Sequence, residues 1–202
     1  MDNNSSVLAT YIALLEELDL LNSETESKVI CDNPDIFITK NVNFFTKSFT
    51  ITLCAYLESF LKDITMTVID NANQKLAQNK VAYNLAKWSV LKKKDLGELN
   101  DNELLFEDLS IKVTRKELDE FISGSPYKTE KLFKKIGVKL YDDSIYIEQK
   151  EKVISIVEKR NKIVHHNDNA SDIAFSDIRT NISTITEYMS NLNNLIKKEI
   201  EK

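Results

Sequence analysis

The sequence is poor in the residues that form turns. It contains three Gly and two Pro among 202 residues, whereas average usage is roughly 7% Gly and 5% Pro. Sandwiches, barrels and doubly wound sheets need many more of both at their hairpins and loops. Gly97, Gly124 and Gly137 also lie far apart, which excludes a glycine-rich phosphate-binding loop. These absences favour an all-α protein.

Long apolar segments are missing as well. No stretch approaches the roughly 18 to 20 apolar residues that cross a bilayer. The N-terminal segment has no basic region and is interrupted by Glu16, Glu17 and Asp19, unlike a signal peptide. Cys31 and Cys54 lack CxxC spacing, which favours reduced thiols over a disulfide. The sequence therefore predicts a cytoplasmic protein without a membrane segment.

Acidic residues outnumber basic ones overall, with 32 Asp and Glu against 27 Lys and Arg, but positive charge is concentrated locally. The formal net charge is −5, which argues against non-specific coating of nucleic acid, because such binding requires many Lys and Arg contacts with phosphate. Residues 1–35 carry one base against eight acids, whereas residues 150–166 carry five bases against two acids. A solvated charged face explains many such segments. The segment 150–166, however, also contains both histidines.

Apolar residues recur at helical spacing along most of the chain. The pattern predicts helices over residues 5–21, 41–79, 82–94, 126–136, 147–165 and 177–200. Together they predict an all-α fold, an up-and-down helical bundle whose longest helices are 41–79, 147–165 and 177–200. Residues 22–38 are expected to form a connection.

Polar residues and prolines define several helix ends. Thr114 and Glu117 form a capping box that predicts a further helix to about residue 123. Ser125 is the predicted N-cap of the next helix, with Pro126 at its first position, and Ser176 is the predicted N-cap of the last. For domain organisation, we expect a helical extension over residues 1–38. The main domain is expected over residues 39–202, with a polar and acidic insert around 95–123.

The segment EKRNKIVHHND gathers the rare reactive side chains of the chain. Arg160 precedes His165 by five positions and His166 by six, a spacing that is weak evidence on its own. Asn161 lies four residues before His165 on the same helical face, where its amide could orient the imidazole. His165 is also close to the helix C-terminus, where the helix dipole favours a protonated ring.

This segment allows three interpretations. Arg160 and the histidines could be solvated residues at a helix end, or they could form a catalytic site. A metal site from His165, His166 and Asp168 is disfavoured, because adjacent histidines on a helix point apart and no further Cys or His is available. The sequence therefore predicts no metal and no cofactor.

RNKIVH resembles the Arg-Asn-x-x-x-His motif of HEPN domains, the helical "higher eukaryotes and prokaryotes nucleotide-binding" superfamily, in which many members are metal-independent ribonucleases. CAYLESFLKDI at 54–64 is similar to the glutamate-bearing first core helix of the RiboL-PSP-like HEPN group. SGSPYKTEKLFKKIGV resembles the short helix that precedes the motif helix in that group. The resemblance covers about residues 40–200.

The resemblance implies a role for each matching residue. Arg160 is expected to contact the scissile phosphate and His165 to transfer protons, while Asn161 and Glu58 support them. His166 also fits the permitted spacing, so either histidine could be the catalytic one. Glu58 could equally be a packed or surface residue without a catalytic role.

The implied function is a metal-independent endoribonuclease that acts as a toxin or antiviral effector. RNA is the expected substrate, and an antitoxin or another regulatory protein is a possible partner. RNA cleavage needs both a base and an acid, and one histidine cannot easily be both. A homodimer that faces two motifs across a two-fold axis would supply both groups. The alternative is a catalytically silent HEPN module that binds nucleotide or a partner protein.

Overall fold

The computed structural model describes residues 3–90, 108–166 and 168–201. These residues form seven α-helices and a short 3₁₀ helix at Glu117–Glu120. The α-helices are α1 (Asn3–Ser27), α2 (Ile36–Lys40), α3 (Val42–Asn79), α4 (Tyr83–Val90), α5 (Pro126–Lys135), α6 (Ser144–His166) and α7 (Phe175–Ile200). Within the described ranges there is no strand, only an isolated bridge between Ala82 and Asp108. The predicted all-α fold is confirmed.

Helix α3 has almost the bounds that its apolar spacing predicts. Its many β-branched residues lower its intrinsic helical propensity, so packing must stabilise it. That packing comes from one fully buried face, which includes Leu53, Leu57, Phe60 and Ile64. The helix ends at Asn79, and the next residue, Lys80, has a left-handed φ of 47° that stops the helical hydrogen-bond pattern.

Contacts between helix ends define an antiparallel bundle. The Phe49 and Phe175 rings lie with their centroids 6.4 Å apart near the starts of α3 and α7. Near their other ends, Lys75 Nζ donates to the Ile200 carbonyl at 2.8 Å, so α3 and α7 run in the same direction. Asn191 Nδ2 donates to Asp143 Oδ1 at 3.0 Å at the start of α6, so α6 runs opposite to α7.

Helix α1 also runs opposite to α7 and packs against both α3 and α7. Asn22 Nδ2 donates to the Phe175 carbonyl at 3.0 Å, which joins the end of α1 to the start of α7. Tyr11 and Leu15 belong to the same apolar core as Phe60. Helix α1 is thus an integral part of this packing, and the division at residue 38 remains a prediction about domain organisation.

Several predicted helix ends are wrong. Helix α1 continues to Ser27, and α2 follows within the segment predicted to be a connection. The capping box of Thr114 and Glu117 forms, with Thr114 N donating to Glu117 Oε2 at 2.6 Å, but only a 3₁₀ turn follows it. The N-cap of α7 is Ala174 rather than Ser176, and its amide donates to Asp177 Oδ2 at 2.8 Å.

Other features lie only partly within the described residues. Helix α4 covers the first part of the helix predicted over 82–94, and residues 91–94 fall outside the description. The same holds for residues 95–107 of the predicted insert. In the ranges that are described, no helix has the length and apolar character to cross a membrane.

Candidate active site

The fold brings Arg160 of α6 against Glu58 of α3, two residues that are 102 positions apart in the chain. Arg160 Nη2 and Glu58 Oε1 form an ion pair. The two side chains are 17% and 25% exposed, so the pair is largely shielded from water. A shielded pair with direct hydrogen bonding holds its geometry better than a solvated surface pair. The guanidinium is therefore fixed at the α3–α6 contact.

Two further side chains surround the guanidinium. Asn161 Oδ1 accepts a hydrogen bond from Arg160 Nη1 at 3.1 Å. Burial raises the pKa of the Cys54 thiol to about 11, although the nearby Arg160 guanidinium acts in the opposite direction. Cys54 is fully buried one helical turn before Glu58, so it packs as a neutral thiol at neutral pH. The guanidinium keeps N–H donors beyond those bound to Glu58 and Asn161.

Gly124 lies next to the ion pair, in the chain just before α5. Its φ is +70°, a conformation that residues with a side chain rarely adopt. A Cβ at this position would lie 3.4 Å from Val157 Cγ2 and 3.6 Å from Glu58 Oε1. The backbone at Gly124 therefore covers one side of Glu58 and leads directly into α5.

His165 and His166 occupy the last turn of α6, and both are exposed. At 3.6 residues per turn, Arg160 and His165 project about 140° apart around the helix. Within the described residues, no hydrogen bond joins His165 to Arg160 or to Asn161. The expected orientation of His165 by Asn161 is thus not observed, and the Asn161 side-chain oxygen accepts from Arg160 instead.

The loop after the histidines is tied back to α6. Lys159 Nζ lies 3.1 Å from Asp168 Oδ2 and 2.6 Å from Asp172 Oδ1. Asp168 Oδ1 also accepts from the Ala170 amide at 2.6 Å, and Ala170 has a left-handed φ of 53°. The Ala170 amide and then Lys159 hold the pKa of Asp168 below its usual value, so the tie persists at neutral pH. The tie secures the helix end that carries both histidines.

The structure brings together some of the sequence-predicted residues and leaves others apart. One cluster contains Arg160, Asn161 and Glu58. The two histidines lie at the end of α6, and their side chains form no hydrogen bond or ion pair with the residues that the structure describes. Cys54, Gly124 and the Lys159 tie were missed by the sequence reasoning. The i−4 position of Cys54 relative to Glu58 was the one available signal, since it places both on one face of α3. Across the described ranges, no group of three His, Cys, Asp or Glu residues could hold a metal ion.

Comparison with known families identifies this architecture. The family model for RiboL-PSP-HEPN matches residues 9–198, which is nearly the whole chain. No curated protein and no solved structure matches the sequence significantly. The chain therefore belongs to the RiboL-PSP-HEPN family, within the HEPN superfamily that the RNKIVH and CAYLESFLKDI segments resemble.

Proposed function

We propose that this protein is a metal-independent endoribonuclease that acts in the cytoplasm as a toxin or antiviral effector. The observation that carries the proposal is the shielded guanidinium of Arg160. Glu58 of α3 holds this group, and Arg160 itself lies on α6, the helix that ends in two exposed histidines. Many HEPN domains are ribonucleases, and membership of this family supports the same class of reaction.

Arg160 is suited to binding the scissile phosphate. A guanidinium presents a planar set of donors to phosphate oxygens and keeps its charge at any pH at which RNA is stable. Glu58 and Asn161 fix its position in advance. Donors that need no rearrangement are most effective against the charge that develops in the transition state.

A histidine is suited to the proton transfers. A base removes the proton of the RNA 2′-hydroxyl, whose oxygen attacks the adjacent phosphorus. The bond between phosphorus and the 5′-oxygen then breaks, and an acid protonates that oxygen. The products are a 2′,3′-cyclic phosphate and a 5′-hydroxyl. An imidazole titrates near neutral pH and serves in either step.

RNA cleavage without added metal tests the proposal directly. We expect the purified protein to cleave RNA in excess EDTA, because no step uses a metal ion. An all-DNA strand of the same sequence is expected to remain intact, since it lacks the 2′-hydroxyl nucleophile. Gel electrophoresis of end-labelled strands measures both rates. Comparable cleavage of DNA, or complete dependence on Mg²⁺, would contradict the mechanism.

The same experiment addresses the alternative of a catalytically silent module. That alternative is favoured by one observation, the neutralisation of Arg160 by Glu58. A silent module would bind nucleotide or a partner protein and leave RNA intact under every condition. An antitoxin or another regulatory protein is compatible with both functions.

We further propose that the active unit is a homodimer. A single chain offers one favoured catalytic imidazole, and Arg160 and His165 project in different directions from α6. Two-fold symmetry is the commonest way to bring identical segments face to face. The protein is expected to sediment as a dimer and to lose specific activity on dilution. A monomer that keeps full specific activity on dilution would contradict the shared site.

Gly124 offers a test of the geometry around Glu58. Gly124→Ala places a side chain at φ +70°, which destabilises the fold by about 1–2 kcal/mol. Relief of this strain is expected to shift the backbone next to Glu58, so cleavage is expected to fall roughly tenfold.

Gly137→Ala is the matched control for this substitution. Gly137 has a similar φ of +84°, but among the described residues no atom beyond its own chain neighbours lies within 4 Å of the position that a Cβ would take. Denaturant unfolding should give similar losses of stability for the two variants, and only Gly124→Ala should slow cleavage. Equal cleavage by both variants would exclude a role for the Gly124 contact.

A further inference from the structure

Helix α5 and the residues just after it carry positive charge that the proposed reaction does not use. Residues 126–139 contain five lysines and a single acid, Glu130. Glu130 is already neutralised, because its Oε1 lies 2.8 Å from Lys150 Nζ. All five lysines are exposed, and none forms an ion pair with a residue that the structure describes: Lys128, Lys131, Lys134, Lys135 and Lys139.

One exposed aromatic ring lies beside one of these lysines, and a second, in α5 itself, lies beside Lys150 of α6. The Lys135 ammonium sits over the Phe121 ring, 3.8 Å from its centroid. The Lys150 ammonium lies 4.4 Å from the centroid of Tyr127, in the first turn of α5. Phe121 is 37% exposed and Tyr127 is 54% exposed. Exposed rings interleaved with basic groups are typical of surfaces that bind single-stranded nucleic acid.

This surface begins beside the Arg160–Glu58 pair. Helix α5 starts at Pro126, two residues after the glycine that covers Glu58. The C-terminal end of α5 lies further along α3. There, Leu132 and Ile136 line an apolar cleft of about 360 Å³ together with Val68 and Ile69 of α3. Ten residues at 1.5 Å each extend the surface roughly 15 Å away from the pair.

We propose that the exposed face of α5, formed by Lys128, Lys131, Lys134 and Lys135 with Tyr127 and Phe121, binds the phosphate backbone of single-stranded RNA beside the cleavage site. The inference rests on the proposed function, since it assigns the surface that holds the strand to be cleaved. A protein of net charge −5 repels RNA over much of its surface. A local basic surface that leads to Arg160 therefore also directs where the strand binds.

Binding of an uncleavable strand tests the inference separately from catalysis. The probe is a fluorescein-labelled 2′-O-methyl RNA oligonucleotide, which keeps every phosphate and lacks the nucleophile. The double variant Lys128→Glu, Lys131→Glu is expected to lose roughly tenfold or more in affinity. The slope of the logarithm of the association constant against the logarithm of salt concentration is negative, and its magnitude should decrease by about 1.4 on loss of two phosphate contacts, at roughly 0.7 per contact on a single strand.

The matched control is Lys80→Glu, Lys198→Glu, which changes the net charge equally. Both residues are exposed near the far ends of α3 and α7. The control is expected to bind with nearly unchanged affinity. Equal losses in the two double variants would overturn the inference, because net charge alone would then explain binding. Circular dichroism verifies folding, and Lys128→Gln, Lys131→Gln replaces the charge-reversed pair if that variant does not fold.

Two further outcomes distinguish failure of the α5 assignment from failure of the ribonuclease proposal. Binding that depends on α5, without cleavage of ordinary RNA, would refute the ribonuclease proposal and keep the α5 assignment. Cleavage with an unchanged KM in the α5 variant would refute the α5 assignment and keep the ribonuclease. Polyglutamate that binds α5 as tightly as the RNA probe would indicate an acidic protein partner and also overturn it.

Discussion

Replacing Arg160 with alanine is expected to reduce RNA cleavage by roughly 10²- to 10³-fold, the loss typical of removing one transition-state donor. The substitution removes the only group proposed to bind the scissile phosphate, and it leaves the Glu58 carboxylate facing the vacated space. That carboxylate repels the incoming phosphate. Arg160→Lys keeps the charge but loses the planar set of donors, so it is expected to recover only part of the rate.

Arg179→Ala is the control for this substitution. Arg179 also bridges two helices, with Nη2 2.7 Å from Glu26 Oε2, but its side chain is 46% exposed. An exposed pair contributes about 0–1 kcal/mol to stability. Single-turnover rates should therefore be nearly unchanged in Arg179→Ala. Cleavage by Arg160→Ala at the wild-type rate would remove Arg160 from the mechanism.

Replacing His165 with alanine is expected to reduce the rate by roughly 10²-fold or more, the lower range for a general acid–base group. His166→Ala is expected to lose much less. The pair is well matched, because both imidazoles are exposed in the last turn of α6 and neither supports the core. The comparison uses single-turnover rates at saturating enzyme, together with the midpoint of thermal unfolding for each variant.

The ranking of the two histidines decides the assignment. A larger loss in His166→Ala would move the proton-transfer role by one residue. Equal and small losses in both variants, with an inactive double variant, would show that either imidazole serves. Full activity of the double variant would exclude histidine catalysis altogether.

Much of the helical architecture follows from apolar periodicity, as α3 shows. Its predicted and observed bounds differ by a single residue at the start, because an uninterrupted buried face determines a long helix. The end of α1 could not be predicted in the same way. Residues 22–27 are polar, and α1 continues through them partly because Asn22 binds the Phe175 carbonyl in α7. Such a contact depends on tertiary structure.

The candidate site was predictable only in part for the same reason. Sequence spacing identified Arg160 and the histidines, and the family resemblance identified Glu58. The Arg160–Glu58 contact joins residues 102 positions apart, and no local pattern encodes it. Sequence reasoning placed Asn161 beneath His165, whereas in the structure it binds the neighbouring guanidinium, because Glu58 holds that group within its reach.

The most direct test of metal-free RNA cleavage is analysis of the product ends. The substrate is a DNA strand that contains a single ribonucleotide, incubated with the protein in excess EDTA. Mass spectrometry should detect one cut, on the 3′ side of the ribonucleotide, with a 2′,3′-cyclic phosphate on one fragment and a 5′-hydroxyl on the other. Arg160→Ala should give roughly 10²- to 10³-fold less of these fragments in the same time. Cuts at deoxynucleotides, or fragments with a 5′-phosphate, would contradict 2′-hydroxyl attack.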